Sequence, residues 1–126
     1  MRLDPPIPVL RTFDWALAQR FYVDWLGFAV DWEHRTGPDG PRYAQVSRGA
    51  VLLHLTEHYG DCSPGAKVFI YTDDVEALHR ELGTRPNANM RPGVEVAPWN
   101  AKVMEVIDPF GNRLCFNEPQ PPTAAG

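Results

Sequence analysis

The sequence predicts an α+β chain built from two βαβββ modules, each with a curved mixed sheet. Three observations predict it. Val9-Leu10-Arg11-Thr12-Phe13-Asp14 opens an amphipathic helix that ends at Leu26-Gly27. About sixty residues later, Phe69-Ile70-Tyr71-Thr72-Asp73-Asp74 opens another, which ends at Leu82-Gly83. Each helix is followed by a stretch of short strand signals. A period near half of a 126-residue chain means two copies of one unit. Two such units with curved sheets make a cleft, and the residues that face it are the ones to examine.

The elements follow in order. Residues 7–13 read as a strand. Asp14 is a good N-cap, because its carboxylate accepts from the first free backbone N–H groups. Ala18, Phe21, Tyr22, Trp25 and Leu26 recur at helical spacing, and Gly27 supplies the left-handed stop. Residues 28–34 read as a strand and Gly37-Pro38-Asp39-Gly40-Pro41 as a turn. Residues 42–48 and 50–56 form a hairpin around Arg48-Gly49, and 57–65 a polar loop. The second module opens with a strand at 67–72. Asp73-Asp74-Val75-Glu76 then has capping-box character, with Val75, Leu78 and Leu82 on the core side of the helix. Residues 84–93 are a loop and 94–97 a short strand; 101–107 and 112–117 make the last hairpin. Its turn, Asp108-Pro109-Phe110-Gly111-Asn112, is specific: Pro sets φ, Gly permits positive φ, and Asp closes an Asx-turn. The expected organisation is one domain over 1–118, with modules at about 7–56 and 67–118, then a disordered Pro-rich tail at 119–126.

Composition excludes several classes of function. The net charge of −4 argues against nucleic acid as partner, since phosphate binding wants a basic surface. It suits a neutral or cationic small molecule. No apolar run has the length of a membrane span, and Met1–Pro6 has no signal-peptide character, so a cytoplasmic protein without a membrane partner is expected. Cys62 and Cys115 form no CxxC or zinc spacing and read as free thiols. No Ser-His-Asp order, Gly-rich phosphate loop or HExxH helix is present, so no catalytic residue is assigned.

Asp14 followed by Arg20-Phe21-Tyr22-Val23-Asp24-Trp25-Leu26-Gly27-Phe28 resembles the helix signature of the vicinal-oxygen-chelate superfamily. This superfamily holds the glyoxalases, extradiol dioxygenases and bleomycin-resistance proteins. Asp108-Pro109-Phe110-Gly111-Asn112 resembles its closing hairpin. The resemblance covers roughly residues 7–118 and implies the glyoxalase/bleomycin-resistance fold. Ile7-Pro8-Val9-Leu10, the acid–aromatic pair Asp31-Trp32, and Pro98-Trp99 with Glu95 before it are similar to the bleomycin-resistance branch, except that Asn100 stands where that branch has glycine. Small chains of this superfamily usually dimerise, so the resemblance also implies a module-swapped homodimer with two grooves.

Enzymes of the superfamily hold a divalent metal on strand slots. By the motifs these slots fall on Ile7, Lys67, Cys115 and near Leu53, with His54 next door. Ile and Leu carry no donor, Lys brings a positive charge, and one isolated thiol is a poor match for an oxygen-chelating centre. No metal and no cofactor are therefore expected. On a strand alternate residues share a face, so slot 67 carries Phe69 and Tyr71 with it, and Cys115 carries Arg113 and Asn117. Cleft aromatics offer stacking worth about 0.5–1.5 kcal/mol each beyond area burial. In bleomycin-resistance proteins the drug's planar rings stack in such a groove and its cationic tail meets acids. The resemblance thus implies Trp32, Phe69 and Trp99 as stacking residues, Asp31 as a charge partner, and Glu95 as a weaker one; Tyr71 and Arg113 join them on the cleft face.

The expected function is metal-independent sequestration of a planar, cationic, glycopeptide-like antibiotic in an aromatic groove at the dimer interface. Two other readings stay open. One is a metal-dependent glyoxalase- or dioxygenase-like enzyme with displaced ligands, for which His54 with Glu57 or Glu105 would serve. The other is a binding module for an unknown metabolite. Against these stand plainer roles: Phe21, Tyr22 and Trp25 as core, His54 as a satisfied strand histidine, Glu57-His58-Tyr59 as a solvated turn, and Cys62 as inert for want of a neighbouring cation.

Overall fold

The structure is a computed structural model that describes residues 1–85, 87 and 90–121. It divides into two compact units. The first holds Met1–Ala66 together with Asp108–Asn112; the second holds Lys67–Ile107 and the described residues from Arg113 onward.

In the first unit β1 (Val9–Arg11) leads to α1 (Trp15–Ala18), then β2 (Ala29–Arg35), β3 (Arg42–Arg48) and β4 (Val51–Thr56). The sheet order is β1-β4-β3-β2, with β1 parallel to β4 and the remaining pairs antiparallel. The second unit repeats this plan with β5 (Lys67–Tyr71), α2 (Val75–Gly83), β6 (Glu95–Ala97), β7 (Ala101–Ile107) and β8 (Arg113–Pro119). Its order is β5-β8-β7-β6, again with the first strand parallel to the last. Both helices are capped as the residue types require: Asp14 accepts from Leu17 N at 3.2 Å and Asp74 from Ala77 N at 2.9 Å.

The first helix departs from the regular α spacing read at 15–26. After one α-turn it widens into a π-helical segment, Gln19–Trp25. Leu26 N bonds back to Phe21 O at 2.9 Å, an i→i+5 bond. The wider turn lets the adjacent Phe21 and Tyr22 reach the core together with Trp25 and Leu26, and all four are buried. Phe21 packs on Tyr22 and Trp25 with ring centroids 4.9 and 5.3 Å away. Each such side chain taken out of water is worth about 1.5–3 kcal/mol, which outweighs the poorer hydrogen-bond geometry of one wide turn. Gly27 then ends the helix at φ 77°, the left-handed region where only glycine is unstrained.

The Asp108–Asn112 turn is built as its residues require. Asp108 Oδ1 accepts from Phe110 N at 2.9 Å and Asn112 N at 2.8 Å. Its Oδ2 accepts from the buried Tyr22 hydroxyl at 2.6 Å and from Asn112 Nδ2 at 2.8 Å. Asn112 Nδ2 donates a second bond to Arg11 O at 2.7 Å, and its Oδ1 accepts from Ala66 N. Burial and the facing Asp108 charge push the Tyr22 hydroxyl well above its ordinary pKa, so it stays a donor.

The tail expected over 119–126 overlaps the last strand. Pro119 closes β8, and Gln120 N donates to Asn100 O at 3.0 Å; residues 122–126 lie outside those described. Among the described residues no helix is long and apolar enough to cross a membrane, and Cys62 and Cys115 are free.

Candidate functional site

Strand alternation splits each sheet into a core face and an open face. In β3 the core takes Ala44 and Val46, and in β4 Leu53 and Leu55, all buried. Tyr43, Gln45 and Ser47 of β3 and His54 of β4 therefore stand on the open face. This corrects the slot placed near Leu53. Leu53 is core, and the open-face position is His54, which pairs with Val9 as Cys115 pairs with Phe69 in the second sheet.

A β-bulge delivers the acid–aromatic pair to the same face. Val30 pairs with Val46 and Trp32 with Gln45, so Asp31 is the extra residue. In an unbroken strand Asp31 and Trp32 would point to opposite faces; the bulge brings both to the open side. Asp31 accepts from Gln45 Nε2 and from Ser47 Oγ, both at 2.9 Å. Gln45 Oε1 meets His54 Nε2 at 3.0 Å, and His54 Nδ1 meets the Tyr43 hydroxyl at 2.8 Å. Trp32 lies parallel to Tyr43, with centroids 6.0 Å apart and planes at 6°, and edge-on to His54 at 5.3 Å. Its indole is still 44% exposed, which leaves surface for a further ring.

Of these side chains Trp32 and Tyr43 border a groove of about 410 Å³ in the first unit, lined also by His34, His58 and Asp61. The volume is that of a small-molecule site. Asp61 is held in place by Thr56, whose hydroxyl donates to it at 2.7 Å while accepting from His58 N at 3.0 Å. Burial raises the Tyr43 pKa, and the charges of Asp61 and Cys62 add to this. Burial lowers the His54 pKa, so its ring is neutral at pH 7. Burial also raises the Cys62 thiol. Cys62 does have a neighbouring cation, Arg11, whose charge opposes that rise without reversing it.

In the second unit Phe69 and Tyr71 stand exposed on one face of β5, edge to face at 5.0 Å. Arg113 is paired with Lys67, and both cations reach Glu105 Oε1, at 3.8 and 4.0 Å. Glu95 is exposed on β6 opposite Val103. Trp99 is 60% exposed in the turn that enters β7. Asn100 follows it at φ 59°, a left-handed conformation that glycine favours and asparagine tolerates. Of the seven residues singled out from sequence, Asp31 and Trp32 thus lie in the first unit. Phe69, Tyr71, Glu95, Trp99 and Arg113 lie in the second. Tyr43, Gln45, Ser47 and Asp61 are not among the residues the sequence points to, and His54 is among them only as a conceivable metal ligand. The polar alternation Tyr43-x-Gln45-x-Ser47 was the available signal.

The side chains named for a metal centre already have partners, Glu105 with Lys67 and Arg113 among them. Among the described residues no three His, Cys, Asp or Glu come together. His54 has both ring nitrogens engaged, by Tyr43 and Gln45, and Glu57 Oε1 is taken by Arg42 N at 2.7 Å.

The fold and the open sheet faces define a class of protein. The glyoxalase superfamily protein model matches residues 1–122, and the chain belongs to that family. Solved structures share the fold. One is a bleomycin-binding protein from the bleomycin-producing Streptomyces verticillus, complexed with copper(II)-bleomycin. It is 27% identical, with TM-score 0.68 over 95% of this chain and 99% of that one. TnmS3, an antibiotic-binding protein from Streptomyces sp. CB03234, is 25% identical, with TM-score 0.68 over 95% and 100%. A bleomycin resistance determinant encoded on the transposon Tn5 is 20% identical, with TM-score 0.71 over 94% and 100%. No curated protein matches the chain.

Proposed function

We propose that this chain is a small-molecule-binding protein of bleomycin-resistance type, which sequesters a planar, cationic, glycopeptide-like antibiotic without metal and without turnover. The observation that carries the reading is Trp32. A bulge presents its half-exposed indole beside Tyr43 in an open groove bordered by the Asp61 carboxylate. A planar ring would stack on the indole, and a cation would meet the acid. Two structural neighbours at 25% identity or above are described as binding bleomycin or an antibiotic, which supports the same class of ligand. Asp31 serves less as a charge partner than as an anchor for Gln45 and Ser47.

The reading includes a homodimer in which the open face of a sheet is covered by a second copy. Phe69, Tyr71 and Trp99 leave 48%, 72% and 60% of their surface exposed, ample apolar material for such an interface or for stacking. Lys67 and Arg113 would repel a cationic ligand, and Glu105, within 4.0 Å of both, offsets one of their two charges. The test is tryptophan fluorescence during titration with metal-free bleomycin. Saturable quenching in the native protein that is largely lost in Trp32→Phe is expected. No change at saturating drug would remove the reading.

A further inference from the structure

The open face of the first sheet carries a chain of hydrogen bonds whose direction is set at one end. An ionised carboxylate only accepts, so Gln45 must turn its NH2 toward Asp31, at 2.9 Å. Its carbonyl oxygen is then left facing His54 Nε2 at 3.0 Å, which must carry the ring proton. A neutral imidazole has one donor and one acceptor, so Nδ1 is bare and the Tyr43 hydroxyl donates to it at 2.8 Å. The ring is neutral because burial disfavours its charged form. Ser47 donates to the other Asp31 oxygen and locks that carboxylate. Every donor in the chain therefore points toward Asp31, and the Tyr43 proton is committed away from the groove.

We propose that Tyr43 is a specificity-determining residue: its hydroxyl oxygen presents only lone pairs to the groove and selects planar ligands that bring an N–H donor to their edge. This rests on the groove reading above and deepens it. Asp61, whose carboxylate is oriented by the Thr56 hydroxyl, borders the same groove, so a second acceptor faces the ligand. A ligand whose edge carries only acceptors, or an anion, meets repulsion from both, and only the rings of His34 and His58 on the same lining offer it donors. Asp31, Gln45 and His54 are positioning residues, acting through Tyr43.

Two measurements test this. The first needs no ligand: long-range nitrogen–proton NMR correlation on the histidine rings reads the His54 tautomer. The Nε2–H form is expected; the Nδ1–H form would reverse the chain and overturn the proposal. The second uses a matched pair of probes, 9-aminoacridine and acridine-9-carboxylate, titrated calorimetrically into native protein and Tyr43→Phe. The native protein should prefer the amine. Tyr43→Phe should weaken amine binding by roughly threefold to tenfold and should not weaken carboxylate binding, which gains from the loss of one repelling oxygen. If both acridines bind but Tyr43→Phe weakens neither, the selectivity proposal fails while the groove survives. If neither acridine binds, the groove reading itself fails and takes the proposal with it.

Discussion

Asp108→Asn is the sharpest test of how the closing turn is held. The native carboxylate accepts four hydrogen bonds, at 2.6–2.9 Å, from Tyr22, Asn112 Nδ2 and the backbone N–H groups of Phe110 and Asn112. The substituted amide would keep one oxygen for the two backbone donors. Its NH2 group would replace the other oxygen, and the Tyr22 hydroxyl could rotate to accept from it. Asn112 Nδ2 would then face a donor instead of an acceptor. The loss is one buried bond turned repulsive plus the charge assistance of the others, about 2–4 kcal/mol at 1.5–3 kcal/mol per bond to a charged group. Asp108→Ala removes both acceptor oxygens and all four bonds and should cost more, at least about 4–6 kcal/mol, a large share of a typical 5–15 kcal/mol total. The assay is urea unfolding followed by circular dichroism and tryptophan fluorescence at fixed protein concentration. Tyr22→Phe, which deletes one donor to the same carboxylate, should fall near about 1.5–3 kcal/mol. An Asp108→Asn midpoint within about 0.5 kcal/mol of native would refute the reasoning, since that is the scatter of inert surface changes.

Three further outcomes are expected. Gly111 sits at φ 89°, so Gly111→Ala should destabilise by about 1–3 kcal/mol in the same assay even though a Cβ there meets no neighbour. His54 is held below its unfolded pKa of about 6.5 by burial, with Tyr43 and, through Gln45, Asp31 as its polar neighbours. The unfolded chain thus binds more protons between the two values. Its contribution is present above the unfolded pKa and lost as pH falls through the folded one, so His54→Gln should flatten the acid side of the stability profile. Trp32→Ala should lower affinity for metal-free bleomycin by at least about tenfold in calorimetry, as removal of a central aromatic anchor does.

Much of the fold was legible because its signals are local. Asp14 and Asp74 cap helices by one side-chain bond each, and Asp108 closes its turn within five residues. What the sequence did not reveal depends on partners far along the chain. The π-helical widening at Gln19–Trp25 answers the demand to bury four large side chains at once. The bulge at Asp31 is visible only when β2 is set against β3, yet it decides that Asp31 and Trp32 share a face. Leu53 was placed one residue from the true open-face position because the register of β4 against β1 and β3 had no local marker; a shift of one residue exchanges the faces. The Tyr43–His54–Gln45–Asp31 chain joins three strands and so could not be assembled by reading along any one of them.

The central claim is stoichiometric capture of a planar cationic drug without metal. The most direct measurement is calorimetric titration of purified, metal-assayed protein with metal-free bleomycin. The account predicts sub-micromolar binding at one drug per chain with the metal assay blank. No heat and no fluorescence change would contradict it and move the function to a different small ligand on the same fold.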